Sequence, residues 1–196
     1  MTTYSDIRYD MTFSTSATDV GGMVLLTTET ASSSATIDFT SLIDSSYSSY
    51  IFKFINIHPQ TDGQQFRFQT SINSGSSYGV TITSTYFIAY HNEGDTETSL
   101  GYITGSDQAQ TTNFMVLGSG DAENDSGISG TMTLFNPSST TFVKHFMART
   151  INDPSAYAQD EFTAGYFNTT SAIDAIQFKM ASGNIDAGVI KMYGVL

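Results

Sequence analysis

The sequence predicts an all-β protein, an antiparallel β-sandwich with the topology of a jelly roll. Residues that favour strands, above all Thr, Tyr, Phe, Ile and Val, are abundant, whereas helix-forming Lys, Glu and Arg are scarce because charged residues are only 13% of the chain. Roughly ten short runs, separated by turn residues, have the length and spacing of strands in a sandwich. Helical crossovers of ten or more residues, which parallel strands require, are not visible.

The first third of the chain contains the most apolar predicted strand. Tyr50–His58 carries apolar residues at both odd and even positions, which is typical of a strand that is buried on both faces. Pro59 ends it, because proline has no N–H for the ladder. Two weaker strands precede it at Met23–Glu29 and Ala35–Phe39, and the turn-rich segment 41–50 has room for one helical turn.

The middle of the chain alternates predicted strands with three loops. Apolar alternation predicts strands at Gln64–Ser71, Val80–Tyr90, Asn113–Leu117, Ile128–Asn136, Thr141–Arg149 and Glu161–Asn168. The predicted loops cover residues 91–111, 118–130 and 151–160. Long loops are often functional, so these three are the candidate recognition loops.

The end of the sequence has the pattern of a β-hairpin. Ile176, Phe178 and Met180 share one face of a first run, and Ile190 and Met192 share one face of a second. A small, glycine-containing connection at residues 181–188 separates the two runs. The sequence therefore predicts that a terminal hairpin is a central part of the sheet.

The length of 196 residues fits one domain, which we place at residues 23–196 behind an N-terminal arm of residues 1–22. Two interpretations of the arm stay open. It is a loose terminus, or it is ordered by a neighbouring subunit that its apolar residues contact. The candidate partner-binding residues in the arm are Tyr4, Ile7, Tyr9 and Phe13.

The composition argues against several functional classes. A formal net charge of −12 repels phosphate backbones and argues against nucleic-acid binding. No apolar run reaches the 18 or more residues of a membrane helix, and no signal-peptide pattern begins the chain. The absence of Cys excludes disulfides and thiolate metal sites. We therefore expect no nucleic-acid partner and no membrane partner.

Motifs for catalysis are missing from the sequence. There is no Gly-x-Ser-x-Gly nucleophile motif and no phosphate-binding glycine loop. Glu161 and Asp174 lie near predicted strands, but nothing in the sequence places them at the separation that glycoside hydrolysis needs. We therefore expect neither an enzyme nor a bound cofactor.

Two acidic segments are candidate metal sites. Asp121, Glu123 and Asp125 crowd a glycine-flanked turn with the oxygen ligands that Ca²⁺ prefers, although the twelve-residue pattern of an EF-hand is absent. The alternative is an acidic turn that only water contacts. A second segment, His91-x-Glu93-x-Asp95, has a spacing that could place three ligands near one ion, but an exposed acidic loop produces it by chance.

Three stretches resemble a family of uncharacterised structural proteins in the virions of marine tailed phages. They are SATIDFTSLIDSSYSSYIFKFINIH (34–58), TMTLFNPSSTTFVKHF (131–146) and AGYFNTTSAIDAIQFKMASGNIDAGVIKMYGV (164–195). Members share the final strand, the Ser-Gly-Asn turn and the Lys-x-Tyr-Gly ending. The resemblance implies a virion component with a sandwich module, a homotrimer, and contacts with virion proteins such as the major capsid protein.

The resulting hypothesis is an exterior head decoration or cement subunit that works by surface adhesion and oligomerisation and is located in the virion. The rival hypothesis is a tail-fibre or spike module that binds host glycans, for which Tyr86, Tyr90 and Tyr102 would supply stacking surfaces. The absence of Trp, a favoured sugar platform, weakens this rival.

Overall fold

The computed structural model describes residues 22–154 and 156–196, which form thirteen strands in two antiparallel sheets. The large sheet contains β1 (Met23–Ser34), β3 (Ser49–Pro59), β5 (Ile82–Asn92), β6 (Thr98–Tyr102), β7 (Ala109–Thr111), β9 (Ile128–Phe135), β10 (Lys144–Asn152), β11 (Tyr157–Phe167) and β13 (Ile185–Val195). The small sheet contains β2 (Ile37–Phe39), β4 (Gln64–Ser71), β8 (Met115–Gly120) and β12 (Ala175–Met180).

The strand order defines a sandwich of unequal sheets. In the large sheet the order is β1-β13-β3-β9-β10-β11-β5-β6, with β7 also paired to β5, and in the small sheet it is β2-β12-β4-β8. The predicted antiparallel β-sandwich is therefore confirmed. A division into nine and four strands does not confirm the jelly roll, which has eight strands. The described part of the chain contains no helix long and apolar enough to cross a membrane.

The predicted terminal hairpin is wrong. β12 pairs with β2 and β4 in the small sheet, whereas β13 pairs with β1 and β3 in the large sheet. Residues 181–184 cross from one sheet to the other. Both strands point their apolar residues into the same core from opposite sides, so the alternation alone cannot distinguish facing strands from paired strands. Both strands are internal to their sheets, as the central role predicted for this segment requires.

The three predicted loops are shorter than the sequence suggested. Residues 91–111 contain β6 and β7 at the end of the large sheet. Most of residues 151–160 belongs to β10 and β11, and only the turn 121–127 remains between β8 and β9. Segment 41–50 forms bends and turns without the expected helical turn. The short strands β6 and β7 are largely polar, so their sequences lack the apolar alternation that predicts a strand.

The core between the sheets is built from phenylalanines. Phe178 of β12 lies at its centre, with the rings of Phe52, Phe54 and Phe66 at centroid distances of 5.3 to 5.7 Å. Phe54 meets both Phe178 and Phe66 edge to face, a geometry that aromatic quadrupoles favour, whereas Phe66 and Phe178 are stacked. The alternation of the two facing strands therefore produces one contiguous core that fixes how the sheets stack.

Lys144 is an unexpected member of the buried set. Its side chain at the start of β10 is fully buried, and its Nζ donates hydrogen bonds to the backbone oxygens of Thr169 and Ser171 at 3.2 and 2.6 Å. Desolvation by burial lowers the pKa of Lys144. The amine thereby ties the segment before β12 to the large sheet.

Candidate functional site

The outward side of the large sheet, away from the small sheet, is the principal candidate site, and we call it the open face. One cross-strand row of directly opposed residues crosses all eight strands of the sheet path. In strand order it comprises Thr28, Lys191, Lys53, Thr131, Arg149, Phe162, Phe87 and Tyr102. Because opposed residues in antiparallel strands point to the same side, these eight side chains share the open face.

One half of the row is aromatic. The rings of Phe162 and Phe87 stack at 4.7 Å with an interplanar angle of 5°, and the guanidinium of Arg149 lies 4.9 Å from the Phe162 centroid. Two hydrogen bonds from Arg149 to Asp160, at 2.9 and 2.6 Å, fix the guanidinium. The hydrogen bonds to Asp160 raise the pKa of Arg149. The result is an ordered stack of Arg149, Phe162 and Phe87 on three adjacent strands.

The other half of the row is cationic. Lys53 lies directly opposite Lys191, and its Nζ is 5.3 Å from the centroid of the Tyr193 ring. Among residues 22–154 and 156–196, the ion pairs are His91 with Asp95 and Arg149 with Asp160. Neither lysine therefore has a carboxylate partner within salt-bridge distance in that part of the chain.

Exposed apolar side chains surround the row. Leu100, Met147 and Ile151 have 73%, 60% and 51% of their surface exposed, and Phe135 and Ile55 are also exposed. Each of the five lies two or four residues along its strand from a member of the row, so all five point to the open face. The open face thus combines exposed apolar side chains with more basic than acidic residues, although the chain as a whole is acidic.

The outward side of the small sheet differs from the open face. Asp38 and Gln177 are opposed there, as are Arg67 and Lys179. Gln177 donates a hydrogen bond of 2.6 Å to Asp38. Polar outward residues are what a sheet in contact with water requires. The contrast shows that the apolar character is specific to the large sheet.

The predicted calcium residues lie in the turn between β8 and β9. Asp121, Glu123 and Asp125 line a cleft of about 320 Å³ together with Glu93 and Asp153. Asp121 is nearly buried, and its Oδ1 accepts a 2.8 Å hydrogen bond from the N–H of Gly63. In the described ranges, no three His, Asp or Glu side chains are arranged to hold a metal ion. Calcium binding therefore stays a prediction from the sequence.

In the second candidate metal site, His91-x-Glu93-x-Asp95, the fold places Glu93 apart from the other two residues. Nε2 of His91 lies 3.0 Å from Oδ1 of Asp95 across the β5–β6 turn. Glu93 points instead toward the acidic cleft and lines it beside Asp121. The sequence spacing therefore brings only two of the three side chains together.

The two carboxylates considered for catalysis are far apart. Glu161 hydrogen-bonds Ser119, which pairs with Gln65 near the start of β4, whereas Asp174 follows the other end of β4, at Ser71. Six residues of strand separate Gln65 from Ser71, which corresponds to roughly 20 Å. Retaining and inverting glycosidases need about 5 to 10 Å. This pair does not form such a site.

Glu161 is a buried carboxyl in a dense hydrogen-bond network. Its Oε1 accepts hydrogen bonds from Gln159 Nε2 at 2.7 Å, from Asn152 Nδ2 at 2.9 Å and from the Ser119 N–H at 3.2 Å. Its Oε2 contacts the hydroxyl of Tyr86. Desolvation by burial raises the pKa of Glu161 to about 8, against the opposing effect of the Ser119 N–H. The network links the two sheets at one end of the core.

The three tyrosines proposed for sugar stacking have different environments. Tyr86 is buried against Glu161, and Tyr102 lies on the open face with its hydroxyl 2.7 Å from Asp107. Tyr90 lines a cleft of about 360 Å³ with Tyr157, whose ring centroid is 5.5 Å away. Both hydroxyls of this pair donate to Glu97, at 2.7 and 3.1 Å. Only Tyr90 therefore lies in a candidate ligand cleft.

The predicted partner-binding residues of the arm, Tyr4, Ile7, Tyr9 and Phe13, lie outside the described residues. The open face itself was not anticipated. Its sequence signal is the apolar character of both faces of Tyr50–His58, which by itself predicts burial on both sides of the strand.

Comparisons with known proteins add no identification. No family model matches the chain, and neither a curated protein nor a solved structure shows significant similarity to it. The two stacked antiparallel sheets define the fold class as a β-sandwich, and the open face is the feature from which we infer function.

Proposed function

We propose that the chain is a structural subunit on the exterior of a phage virion, a head decoration or cement protein that acts by adhesion and has no catalytic role. The observation that carries the proposal is the open face. Monomeric soluble proteins rarely expose contiguous apolar patches beyond a few hundred square ångströms, and larger patches mark interaction sites.

The composition of the open face suits a protein partner. Met, Phe, Tyr and Arg are enriched in protein interfaces, and Met147, Phe87, Tyr102 and Arg149 supply one of each. β3 supports the same conclusion, because Ile55 is exposed although its strand is apolar on both faces. A second layer over the open face would complete the burial that the sequence of this strand predicts.

A cluster of acidic residues lies in the cleft at the β8–β9 turn and not in the two rows of the open face, so it does not oppose adhesion through that face. Glu93, Asp121, Glu123, Asp125 and Asp153 line the cleft at the β8–β9 turn. These carboxylates keep the subunit soluble before assembly, since net charge opposes non-specific association. The resemblance to marine phage structural proteins supplies the virion location, with sister copies and the major capsid protein as partners.

The test is the number of copies in purified particles of the phage that encodes the chain, measured by quantitative mass spectrometry. The proposal expects hundreds of copies per particle, as for a head decoration. A few to a few dozen copies would place the chain in the tail or fibre, and absence from particles would overturn a virion role.

The Tyr90–Tyr157 cleft favours a second candidate function, glycan binding by a tail-fibre or spike module. Paired tyrosines offer a π-surface for a sugar ring, and the carboxylate of Glu97 can accept hydrogen bonds from sugar hydroxyls. A glycan array tests it with Tyr157→Ala, while Tyr166→Ala on the open face is the matched control. Specific binding that only Tyr157→Ala removes supports this function, and no binding by the wild type refutes it.

A further inference from the structure

We propose that the occupant of the open face is a second copy of this chain, related by a two-fold axis that runs along the strands. The inference rests on the proposed adhesive function of the open face and names its partner. The axis would pass between β9 and β10, the fourth and fifth strands of the eight-strand path. The first strand of one copy, β1, would then lie over the last strand of the partner, β6, the second strand would lie over the seventh, and so on along the path.

The cross-strand row complements itself under this operation. Lys191 and Phe87 occupy the second and seventh positions of the row, and Lys53 and Phe162 occupy the third and sixth. The two-fold axis therefore places each lysine of one copy over a phenylalanine of the other. The faces of Phe162 are occupied by Phe87 and Arg149 of its own chain, so the contact from the partner is made by the aliphatic stem of the lysine, which covers apolar surface.

The neighbouring row supports the same arrangement through the sizes of its side chains. It contains Ile51, Thr133, Met147 and Ala164 on consecutive strands of the path. The axis places Ile51 over Ala164 and Met147 over Thr133. A larger side chain thus meets a smaller one at each of these positions, which is the condition for two packed layers to interdigitate.

The size of the face is sufficient for a stable dimer. Seven spacings of about 4.8 Å and about eight residues per strand give a surface of roughly 34 by 26 Å, or about 900 Å². A standard protein interface buries about 800 Å² per partner. Packed sheets keep their strands within about 30° of one another, which this axis permits.

Electrostatics also favour the open face over other surfaces. Two chains of charge −12 repel one another, so contact is least unfavourable where acidic residues are fewest. The two rows contain three charged side chains, Lys53, Lys191 and Arg149. Together with Asp160, which pairs with Arg149, they have a net charge of +2. A two-fold contact closes after one further copy, so the expected species is a dimer rather than the trimer that the resemblance implies.

The experiment is sedimentation velocity of the full chain over a hundredfold concentration range. The wild type is expected to be a dimer, and Met147→Glu is expected to be a monomer with an unchanged circular dichroism spectrum. Because Met147 is exposed, the substitution leaves the core of the subunit intact. Gln177→Glu adds the same charge to the small sheet and should remain a dimer. A monomeric or trimeric wild type, or a dimeric Met147→Glu variant, would overturn the inference.

Cross-linking tests the register directly, because the natural chain contains no Cys. Lys53→Cys and Phe162→Cys proteins are mixed and treated with a short bis-maleimide, which can bridge the roughly 10 Å between packed sheets. A cross-linked heterodimer is expected, and the mixture of Lys53→Cys with Gln177→Cys should give none. Equal yields from both mixtures would refute the register.

These outcomes separate the inference from the proposed function. A monomer in solution that is abundant on particles would refute the dimer and leave the virion role intact. A dimer that is absent from particles would refute the virion role and leave the dimer intact.

Discussion

Lys53 and Lys191 lie directly opposite each other on adjacent strands of the open face, in a chain with only seven basic residues. Like charges in this position destabilise a sheet. In the single chain water solvates both ammonium groups, and the ring of Tyr193 lies 5.3 Å from the Nζ of Lys53. The lysine pair should therefore affect both the free energy of unfolding of the single chain and the strength of the proposed contact between two copies.

Replacing Lys53 by Thr should have opposite effects on the subunit and on the dimer. Removal of the like-charge contact should raise the free energy of unfolding of the monomeric chain by up to about 1 kcal/mol at low salt. The same variant should dimerise more weakly, because the shorter Thr side chain loses the packing of the Lys53 stem on the partner's phenylalanine. Urea unfolding in the Met147→Glu background and sedimentation of the single variant measure the two effects. Stability and association that change in the same direction would contradict this interpretation.

Phe178→Ala should destabilise the subunit by about 3 to 5 kcal/mol, since it removes the ring at the centre of the phenylalanine core. Gln177→Ala on the adjacent, outward-facing position is the control and should change the free energy of unfolding by less than about 1 kcal/mol. Chemical denaturation of both variants gives the comparison. Similar losses for both would mean that the sheets do not stack around Phe178.

Gly194→Ala tests how tightly the last strand packs. A Cβ at Gly194 would lie 2.4 Å from the ring of Tyr47, so the ring would have to move. A destabilisation of about 1 to 3 kcal/mol is expected from such overpacking. Gly101→Ala in β6 is the matched control, because no atom lies within 4 Å of its added Cβ. Thermal unfolding that lowers the melting temperature of Gly101→Ala as much as that of Gly194→Ala would contradict the packing.

Much of the fold was predictable because strand alternation is a local property. The inward residues of the last two runs, such as Phe178 and Ile190, were identified correctly from their period of two. The pairing of those runs was wrong, because partner choice depends on the whole sandwich and not on the local pattern. Lys144 could not be predicted to be buried, since its carbonyl partners are more than twenty residues away in the sequence.

The candidate site was harder to predict than the fold. The open face combines residues from eight strands, and no two neighbours in its row are close in sequence except at hairpins. Exposure of Met147 follows from which side the second sheet covers, which a single strand does not reveal. The Glu93 and Asp153 carboxylates were likewise brought to the β8–β9 turn only by the fold.

Glu161 should make the stability of the subunit fall as the pH rises. Its pKa is about 8 in the folded chain, above the ordinary value of 4.5, so the folded state binds more protons than the unfolded state between these limits. The free energy of unfolding should therefore decrease from about pH 4.5 to pH 8, by on the order of 3 to 5 kcal/mol.

Glu161→Gln should remove this pH dependence and stabilise the chain at pH 8. Its amide oxygen can still accept from Gln159, Asn152 and Ser119, and its amide nitrogen can donate to the Tyr86 hydroxyl oxygen. Urea unfolding at several pH values measures the effect, with the exposed Glu29→Gln as the control. A Glu161→Gln profile that parallels the wild type would assign the pH dependence to other groups.

Oxidation of Met147 in purified particles tests the central claim, that the open face is an adhesive surface covered in the assembly. The side chain is 60% exposed in the single subunit, so hydrogen peroxide should convert it readily to the sulfoxide in the wild-type chain diluted until it is monomeric. The account predicts strong protection of Met147 in the assembled wild type. Oxidation at the monomer rate would contradict it.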